Sequence, residues 1–197
     1  MSDSSQLTGV ILAGGEGNRM GGQDKGWITL CGKPLIEWVL EQLKLQVGPV
    51  IISANRNLDR YQALGVPVVH DEKVYLGPLA GIATALENIR TEYALVVPTD
   101  APLIPADLAQ RLLPKCPTRL VICHDGERLQ PLFGLYHRSL AESIRAFLAS
   151  DQRQLTRWCM AQTPEIVTIS DTEIFANLNT AEELARIETA LGERGHG

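Results

Sequence analysis

The sequence predicts an α/β domain with three layers, in which helices cover both faces of a mostly parallel, twisted sheet. Short apolar runs that indicate buried strands alternate along the chain with amphipathic segments that indicate helices. A glycine-rich loop follows the first apolar run directly, as loops between a parallel strand and a helix often do. The 197 residues are 45% hydrophobic and 21% charged, a composition typical of one globular domain.

The first half of the chain supplies the regular alternation. Residues 7–12 form a compact apolar run, and a helix is predicted from Pro34, because proline is favoured in a first helical turn. Further strands are predicted at 50–54, 66–69 and 93–97, and further helices at 58–64, 78–90 and 105–113. Strands and helices at this interval imply right-handed crossovers and a parallel sheet.

The second half is less regular. His124-Asp125-Gly126-Glu127 predicts a turn that joins strands at 120–123 and 128–136. Helices are predicted at 139–148 and 153–160, and a short strand at 166–169. Thr180 and Glu183 form a capping box that predicts the start of the last helix. We expect one domain over residues 7–191, between a disordered tail at 1–6 and a frayed tail at 192–197.

Charge and apolar patterning exclude several classes of protein. The net charge of −5 disfavours a nucleic-acid binder, which normally presents a basic face to phosphates. No apolar stretch approaches the roughly 20 residues that cross a bilayer, and the first residues lack a secretory signal. We therefore expect a cytoplasmic protein without membrane contact. The four cysteines lack the spacing of zinc or redox motifs, so reduced and mostly packed thiols are expected.

The loop between Leu12 and Lys25 indicates phosphate binding. It contains five glycines, which let backbone N–H groups turn towards an anion, and Arg19 and Lys25 add positive charge. The dinucleotide fingerprint fails because Met20 stands where its third glycine belongs, and the Walker loop fails because Gly26 follows the lysine. A third kind of phosphate loop is indicated. The alternative is a flexible surface loop without a ligand.

These residues, together with other short motifs, resemble one family of nucleotidyltransferases, the molybdenum cofactor guanylyltransferases. The resemblance extends over about residues 7–187. It rests on the stretch from Leu12 to Lys25 and on Asp24-Lys25-Gly26, Gly32-Lys33-Pro34-Leu35, Ala54-Asn55-Arg56, Gly77-Pro78-Leu79-Ala80-Gly81, Asp100-Ala101-Pro102, His124-Asp125-Gly126-Glu127-Arg128 and Asn177-Leu178-Asn179-Thr180. It implies a Rossmann-like nucleotidyltransferase fold, with a nucleotide-binding half at about 7–113 and an acceptor-binding half at about 118–191.

The resemblance also implies an activity and a set of site residues. The chain would transfer GMP from GTP to the terminal phosphate of molybdopterin, with Mg²⁺ as cofactor and Asp100 as its ligand. The catalytic residues would be Arg19, Lys25 and Asp100. The nucleotide-binding residues would be Leu12, Ala13, Gly14, Gly15, Lys25, Ser53, Asn55, Asp71 and Asp100. The acceptor-binding residues would be Gly77, Gly81, Arg153, Asn177 and Asn179.

Several of these positions have a second interpretation. Asp100 follows a predicted strand, at the crevice where open α/β sheets bind ligands, but it could instead be an N-cap or an Asx-turn residue before the next helix. Asp71 could simply end a strand. Ser53 stands where a member of the family carries asparagine, so either its hydroxyl replaces an amide contact or Asn55 matters by fixing the loop. For His70 we expect a packing role at a strand end.

Two other functions remain open. A related transferase would use CTP or a sugar-1-phosphate acceptor, because the glycine loop is shared across the group. A protein of a different class would bind the nucleotide or cofactor without catalysis and deliver it to an acceptor protein. In either case we expect a monomer that contacts cofactor-biosynthesis or molybdoenzyme acceptor proteins only transiently.

Overall fold

The fold is described from a computed structural model, which covers residues 6–13, 24–71, 77–115, 118–175, 178 and 181–194. Strands and helices are numbered here separately along the chain. The strands are β1 Leu7–Leu12, β2 Thr29–Leu30, β3 Lys33–Pro34, β4 Val50–Ser53, β5 Val68–Val69, β6 Tyr93–Pro98, β7 Leu120–His124, β8 Leu129–His137 and β9 Glu165–Thr168. The helices are α1 Leu35–Lys44, α2 Leu58–Gln62, α3 Pro78–Asn88, α4 Leu108–Leu112, α5 Leu140–Ala149, α6 Leu155–Ala161 and α7 Ala181–Arg194.

Seven strands form the main sheet, in the order β5-β4-β1-β6-β8-β7-β9. The four strands β5, β4, β1 and β6 are parallel, β8 runs antiparallel to β6 and β7, and β9 is parallel to β7. The predicted α/β class with a mostly parallel sheet is therefore confirmed. The chain builds outwards from β1 to β5 and then crosses to β6 on the other side of β1. The strand order thus reverses between β1 and β6, which is where open α/β sheets bind ligands.

Apolar side chains pack on both faces of the sheet, because successive residues of a strand point to opposite sides. In β1, Ile11 packs in the cluster that contains residues of α1 and α4, and Val10 packs in the cluster that contains residues of α3 and α5. A third and smaller cluster joins Leu35 at the start of α1 to Ile187 of α7. These clusters produce the three predicted layers and hold the last helix against the nucleotide-binding half.

The boundaries of some elements differ from the predictions for local reasons. Pro34 is extended, with ψ of 142°, because it pairs in the short hairpin of β2 and β3, so α1 begins one residue later. Gln154 is also extended, and α6 therefore begins at Leu155 instead of residue 153. The helix α7 continues to Arg194, and the capping residue Thr180 lies outside the described residues.

The described thiols partly follow the expectation from sequence. Cys123 and Cys159 are buried, whereas Cys31 is exposed; Cys116 lies outside the described residues. Burial raises the pKa of Cys123 to about 12 and that of Cys159 to about 11, so both stay protonated at neutral pH. Among the described helices, none is long and apolar enough to cross a membrane.

Candidate active site

The carboxyl ends of β5, β4, β1 and β6 lie side by side along one edge of the sheet. Leu12, the last residue of β1, pairs with Ser53 of β4 on one side and with Pro98 of β6 on the other, and Ser53 pairs with Val69 of β5. The residues that follow these strands therefore share this edge, which we call the carboxyl edge. With neighbouring strands about 4.8 Å apart, the edge from β5 to β6 spans roughly 14 Å.

At the β6 end of this edge, Lys25 and Asp100 form an ion pair, with 2.8 Å between Lys25 Nζ and Asp100 Oδ2. Asp100 is 8% exposed and follows directly on Thr99, whose N–H donates to the carbonyl of Leu12 at 3.1 Å. The pair thus lies where the strand order reverses. Asp107 and not Asp100 occupies the position before α4, so Asp100 is not the N-cap of that helix.

A buried cluster around Asp24 holds Lys25 in place. Asp24 Oδ1 accepts hydrogen bonds from the Tyr61 hydroxyl at 2.7 Å and from the Gly26 N–H at 3.2 Å, and Asp24 Oδ2 accepts one from Asn57 at 2.8 Å. Burial and the bond to Asp24 raise the pKa of Tyr61 well above its ordinary value, so this phenol remains a donor. This anchor leaves no motif in the sequence, because its partners are far apart along the chain.

At the β5 end of the edge, Asp71 is 8% exposed and is held by two side chains. The amide oxygen of Asn55 accepts a hydrogen bond from the Asp71 N–H at 2.9 Å, and the amide nitrogen of Asn55 donates to Asp71 Oδ2 at 3.4 Å. The Thr84 hydroxyl of α3 donates to Asp71 Oδ1. Asn55 therefore joins the loop after β4 to the end of β5, as expected if it fixes the loop.

The start of α3 lies over the ends of β1 and β4. Gly77 has φ of 75° and Pro78 is the first helical residue. A Cβ on Gly81 would lie 2.7 Å from Ser53 Oγ and 3.5 Å from the Leu12 side chain, so glycine permits the close approach. Ser53 is 4% exposed, and its hydroxyl faces this helix.

A cavity of about 760 Å³ opens beside Asp71. Its lining includes His70, Thr84, Arg145 and Arg153. Arg153, predicted for the acceptor, thus shares a cavity with Asp71, predicted for the nucleotide; its guanidinium donates to the Leu148 carbonyl and to Asp151 at 2.8 Å. The packing role expected for His70 is wrong, because this side chain is exposed.

The hairpin between β7 and β8 ends at the same edge as β6, because β7 runs parallel to β6. Asp125 Oδ1 accepts hydrogen bonds from the N–H groups of Glu127 and Arg128, both at 2.8 Å, and Asp125 Oδ2 accepts one from Gln130 at 2.6 Å. The Arg128 N–H, then Gln130 and the Glu127 N–H, lower the pKa of Asp125 to about 2. These three hydrogen bonds fix the predicted turn.

Five predicted site residues lie outside the described residues: Gly14, Gly15, Arg19, Asn177 and Asn179. Leu178, between the two asparagines, is described, and its N–H donates to the carbonyl of Asp100 at 3.0 Å. This bond attaches Leu178 to the carboxyl edge. The structure therefore brings Lys25, Asp100 and Leu178 together at one end and Asn55, Asp71 and Arg153 at the other.

The carboxylate of Asp100 suits a magnesium ion. Mg²⁺ prefers oxygen ligands and often takes only one or two protein carboxylates, completing its shell with phosphates and water. Within the described part of the chain, no group of three or more His, Cys, Asp or Glu side chains forms a metal site. A single aspartate beside a lysine is thus compatible with an ion that arrives with a nucleotide.

Comparison with protein families and curated proteins gives consistent results. The family model described as a MobA-like NTP transferase domain matches residues 9–166. The chain is 43% identical to a molybdenum cofactor guanylyltransferase of Polynucleobacter asymbioticus, over 97% of this chain and 100% of the relative. It is 42% identical to a protein of the same name from Shewanella pealeana, over 98% of this chain and 100% of the relative.

Solved structures share the fold at low sequence identity. Molybdopterin-guanine dinucleotide biosynthesis protein A from Archaeoglobus fulgidus superimposes with a TM-score of 0.77 at 23% identity, over 94% of this chain and 99% of that protein. A 4-diphosphocytidyl-2C-methyl-D-erythritol synthase from Anaerococcus prevotii gives a TM-score of 0.73 at 12% identity, over 96% and 100% of the two chains. At these identities the likeness shows the fold alone.

Proposed function

Because the chain belongs to the family of MobA-like NTP transferase domains, we propose that it transfers GMP from GTP to the terminal phosphate of molybdopterin, releasing pyrophosphate. The names of relatives that are 42–43% identical over nearly the whole chain support this choice of substrates. The observation that carries the proposal is the Lys25–Asp100 pair, which lies at the reversal of strand order and shares the carboxyl edge with Asp71.

The edge favours one orientation of the nucleotide. The triphosphate binds at the β6 end, where Lys25 supplies a positive charge next to the glycine-rich loop. The nucleoside extends along the edge towards Asp71, over the roughly 14 Å that separates β5 from β6. Leu12 and Ala13 lie between these ends, so their backbone passes beneath the nucleotide.

The reaction is an in-line displacement. The terminal phosphate of the acceptor attacks the α-phosphorus of GTP, a P–O bond forms to the acceptor, and pyrophosphate leaves. A phosphate monoester has a second pKa of about 6, so the nucleophile is already ionised at neutral pH and needs no general base. The work of the protein is positioning and charge stabilisation, which Lys25 and Arg19 supply.

Asp100 is the residue that would hold Mg²⁺, and the ion would supply charge neutralisation at the phosphate oxygens. Lys25 then exchanges its contact with Asp100 for one with a phosphate oxygen. The Asp24 anchor keeps the lysine backbone in place during this exchange, because its three hydrogen bonds involve no ligand. Dependence of turnover on magnesium follows from this assignment.

The acceptor binds on the side of α3 and the segment before α7. The first turn of α3, between Gly77 and Gly81, presents backbone N–H groups that favour an anion. Asn177 and Asn179 are proposed as acceptor ligands because their amide side chains match the donors and acceptors of a pterin, and they flank in sequence Leu178, whose N–H donates to the carbonyl of Asp100. Arg153 lies further along the edge, in the cavity beside Asp71.

A panel assay tests the proposed function. Pyrophosphate release is measured with magnesium and each of GTP, CTP, ATP and UTP, with and without molybdopterin. Release with GTP only when molybdopterin is present supports the proposal. Release with CTP, or with a sugar-1-phosphate in place of molybdopterin, would support a related transferase, and nucleotide binding without release would support a delivery protein.

We propose that the protein acts in the cytoplasm as a monomer and contacts cofactor-biosynthesis or acceptor proteins only transiently. The name of the relatives, which gives them a role in cofactor synthesis, supports this location. Light scattering after size exclusion tests the oligomeric state: a mass near 21.6 kDa supports a monomer, and about twice that value contradicts it.

A further inference from the structure

Asp71 is connected through Thr84 to an arginine on a neighbouring helix. Thr84 of α3 contacts Asp71 Oδ1 with its hydroxyl, and Arg145 Nη2 of α5 lies 2.8 Å from the same hydroxyl oxygen. Thr84 is 7% exposed, so this contact is largely shielded from water. The three side chains form one chain of hydrogen bonds that ends at the carboxyl edge.

Chemistry fixes which group donates and which accepts in each of these hydrogen bonds. A guanidinium group has only donors, so Thr84 must accept from Arg145. The hydroxyl has a single proton, and that proton then points to Asp71. Arg145 thereby selects the hydroxyl orientation in which Thr84 donates to the carboxylate, and a polarised donor strengthens the bond.

Arg145 is itself fixed by Glu87, one turn further along α3 than Thr84. Arg145 Nε donates to Glu87 Oε1 at 2.9 Å and Arg145 Nη2 donates to Glu87 Oε2 at 2.8 Å, which is the two-pronged geometry of a strong arginine–carboxylate pair. The hydrogen bond from Arg145 lowers the pKa of Glu87, so the pair persists at neutral pH. Such a fork restricts the guanidinium plane, and with it the position of Nη2.

The carboxylate of Asp71 keeps acceptor capacity for a ligand. Its two oxygens offer about four lone-pair sites, of which Thr84 and Asn55 use two. Asp71 lines the cavity of about 760 Å³, and this cavity is the route by which the donors of a small molecule would reach the remaining sites. Because Asn55 and Thr84 hold the Asp71 carboxylate from two sides, its free lone pairs point in fixed directions. A hydrogen bond that recognises a ligand needs such a fixed orientation.

We propose that Thr84 and Arg145 are positioning residues, which orient the Asp71 carboxylate to accept hydrogen bonds from the N–H or O–H donors of the bound nucleoside. The proposal rests on the proposed function, because it takes the nucleoside as the ligand at this end of the edge. Two parts of the nucleoside carry such donors: the edge of the guanine base and the ribose hydroxyls.

The test uses variants that remove single groups from the purified full chain. Thr84→Val removes the hydroxyl at nearly constant volume, Thr84→Ser keeps it, and Arg145→Met removes the guanidinium but keeps part of its apolar length. Thr91→Val is the matched control, since the Thr91 hydroxyl bonds to Thr8 at the opposite end of the sheet. Denaturation curves confirm that each variant is folded before it is used.

We expect the KM for GTP and its calorimetric Kd to rise about 10-fold in Thr84→Val, which corresponds to about 1.4 kcal/mol, while kcat stays within twofold. In Thr84→Ser and Thr91→Val, the KM and the Kd for GTP stay near their wild-type values. Arg145→Met raises both constants about 3- to 10-fold, and the double variant is no worse than Thr84→Val alone, because both residues act through one contact.

Substrate analogues identify the donor. If Asp71 accepts from the base, the preference for GTP over ITP, which lacks the 2-amino group, shrinks in Thr84→Val. If it accepts from the ribose, the preference for GTP over 2′-deoxy-GTP shrinks instead. Either result supports the positioning role.

Unchanged GTP affinity in Thr84→Val, or a loss that Thr84→Ser shares, would overturn the positioning role. Failure of the proposed function gives a different result, namely a wild-type chain without GMP transfer. In that case, the Kd for GTP in each variant still reports on the contact itself.

Discussion

From the ion pair between Lys25 and Asp100 we predict that the variant Asp100→Asn has a changed affinity for metal-free GTP. The Lys25 ammonium is 2.8 Å from the Asp100 carboxylate, and the two side chains are only 20% and 12% exposed. A triphosphate without a metal must compete with this carboxylate for the same ammonium. An asparagine of the same shape removes the competing charge, so metal-free GTP should bind more tightly to the variant.

The size of the gain follows from the separation of the charges. A phosphate and a carboxylate that contact one ammonium lie about 6 Å apart, where two unit charges repel by about 1 to 3 kcal/mol at an effective dielectric constant of roughly 20 to 60. Metal-free GTP should therefore bind roughly 5- to 150-fold more tightly to Asp100→Asn than to wild type. The gain should shrink at high salt, because the site is partly open.

Calorimetry with GTP in EDTA, at low and high salt, measures this effect. Asp107→Asn is the matched control: it removes the same charge from an exposed ion pair with Arg111. Asp107 lies away from the carboxyl edge, near the amino end of β4. Its neighbours Pro105 and Ala109 both form hydrogen bonds with Gln46, which precedes that strand. Equal or weaker binding of metal-free GTP to Asp100→Asn would refute the reasoning.

Three further predictions concern the Asp24 anchor, the close approach of α3 to Ser53 and the reactivity of the thiols. Tyr61→Phe removes one hydrogen bond to the buried Asp24 carboxylate, so the free energy of unfolding in urea should fall by about 1.5 to 3 kcal/mol; a loss under about 0.5 kcal/mol contradicts the anchor. Gly81→Ala places a methyl 2.7 Å from Ser53 Oγ and should cost about 1 to 3 kcal/mol of stability. Ser53→Ala in the same chain should recover most of that loss, and no recovery would mean that another contact causes it. Iodoacetamide at pH 8 should modify Cys31 and leave the two buried thiols unmodified until the chain unfolds, as mass spectrometry would show.

The architecture was predictable because its signals are local. The apolar run of β1 and the glycines after it indicate a parallel strand and a ligand loop, and Asp100 follows the predicted strand of β6 directly. Family resemblance supplied the role of Lys25, and the structure places its ammonium against Asp100. The positions of strand ends along one edge then follow from the topology of a parallel sheet.

The side chains that support the site were not predictable in the same way. Tyr61 reaches Asp24 across 37 positions of the chain, and Arg145 reaches Thr84 across 61. Tyr61 and Arg145 belong to no recognisable motif. Each lies on a helix whose apolar pattern is already explained by packing against the sheet. Contacts of this kind depend on how the helices dock on the sheet, which single-sequence periodicity does not encode.

The central claim is that the β6 end of the carboxyl edge binds the triphosphate and its metal. A crystal of the chain with GTP and Mn²⁺ in place of Mg²⁺ tests it most directly, through the anomalous signal of manganese. We predict a manganese peak within coordination distance of the Asp100 carboxylate and phosphate density next to Lys25 Nζ. A metal and triphosphate bound elsewhere, with the Lys25–Asp100 pair intact, would contradict it.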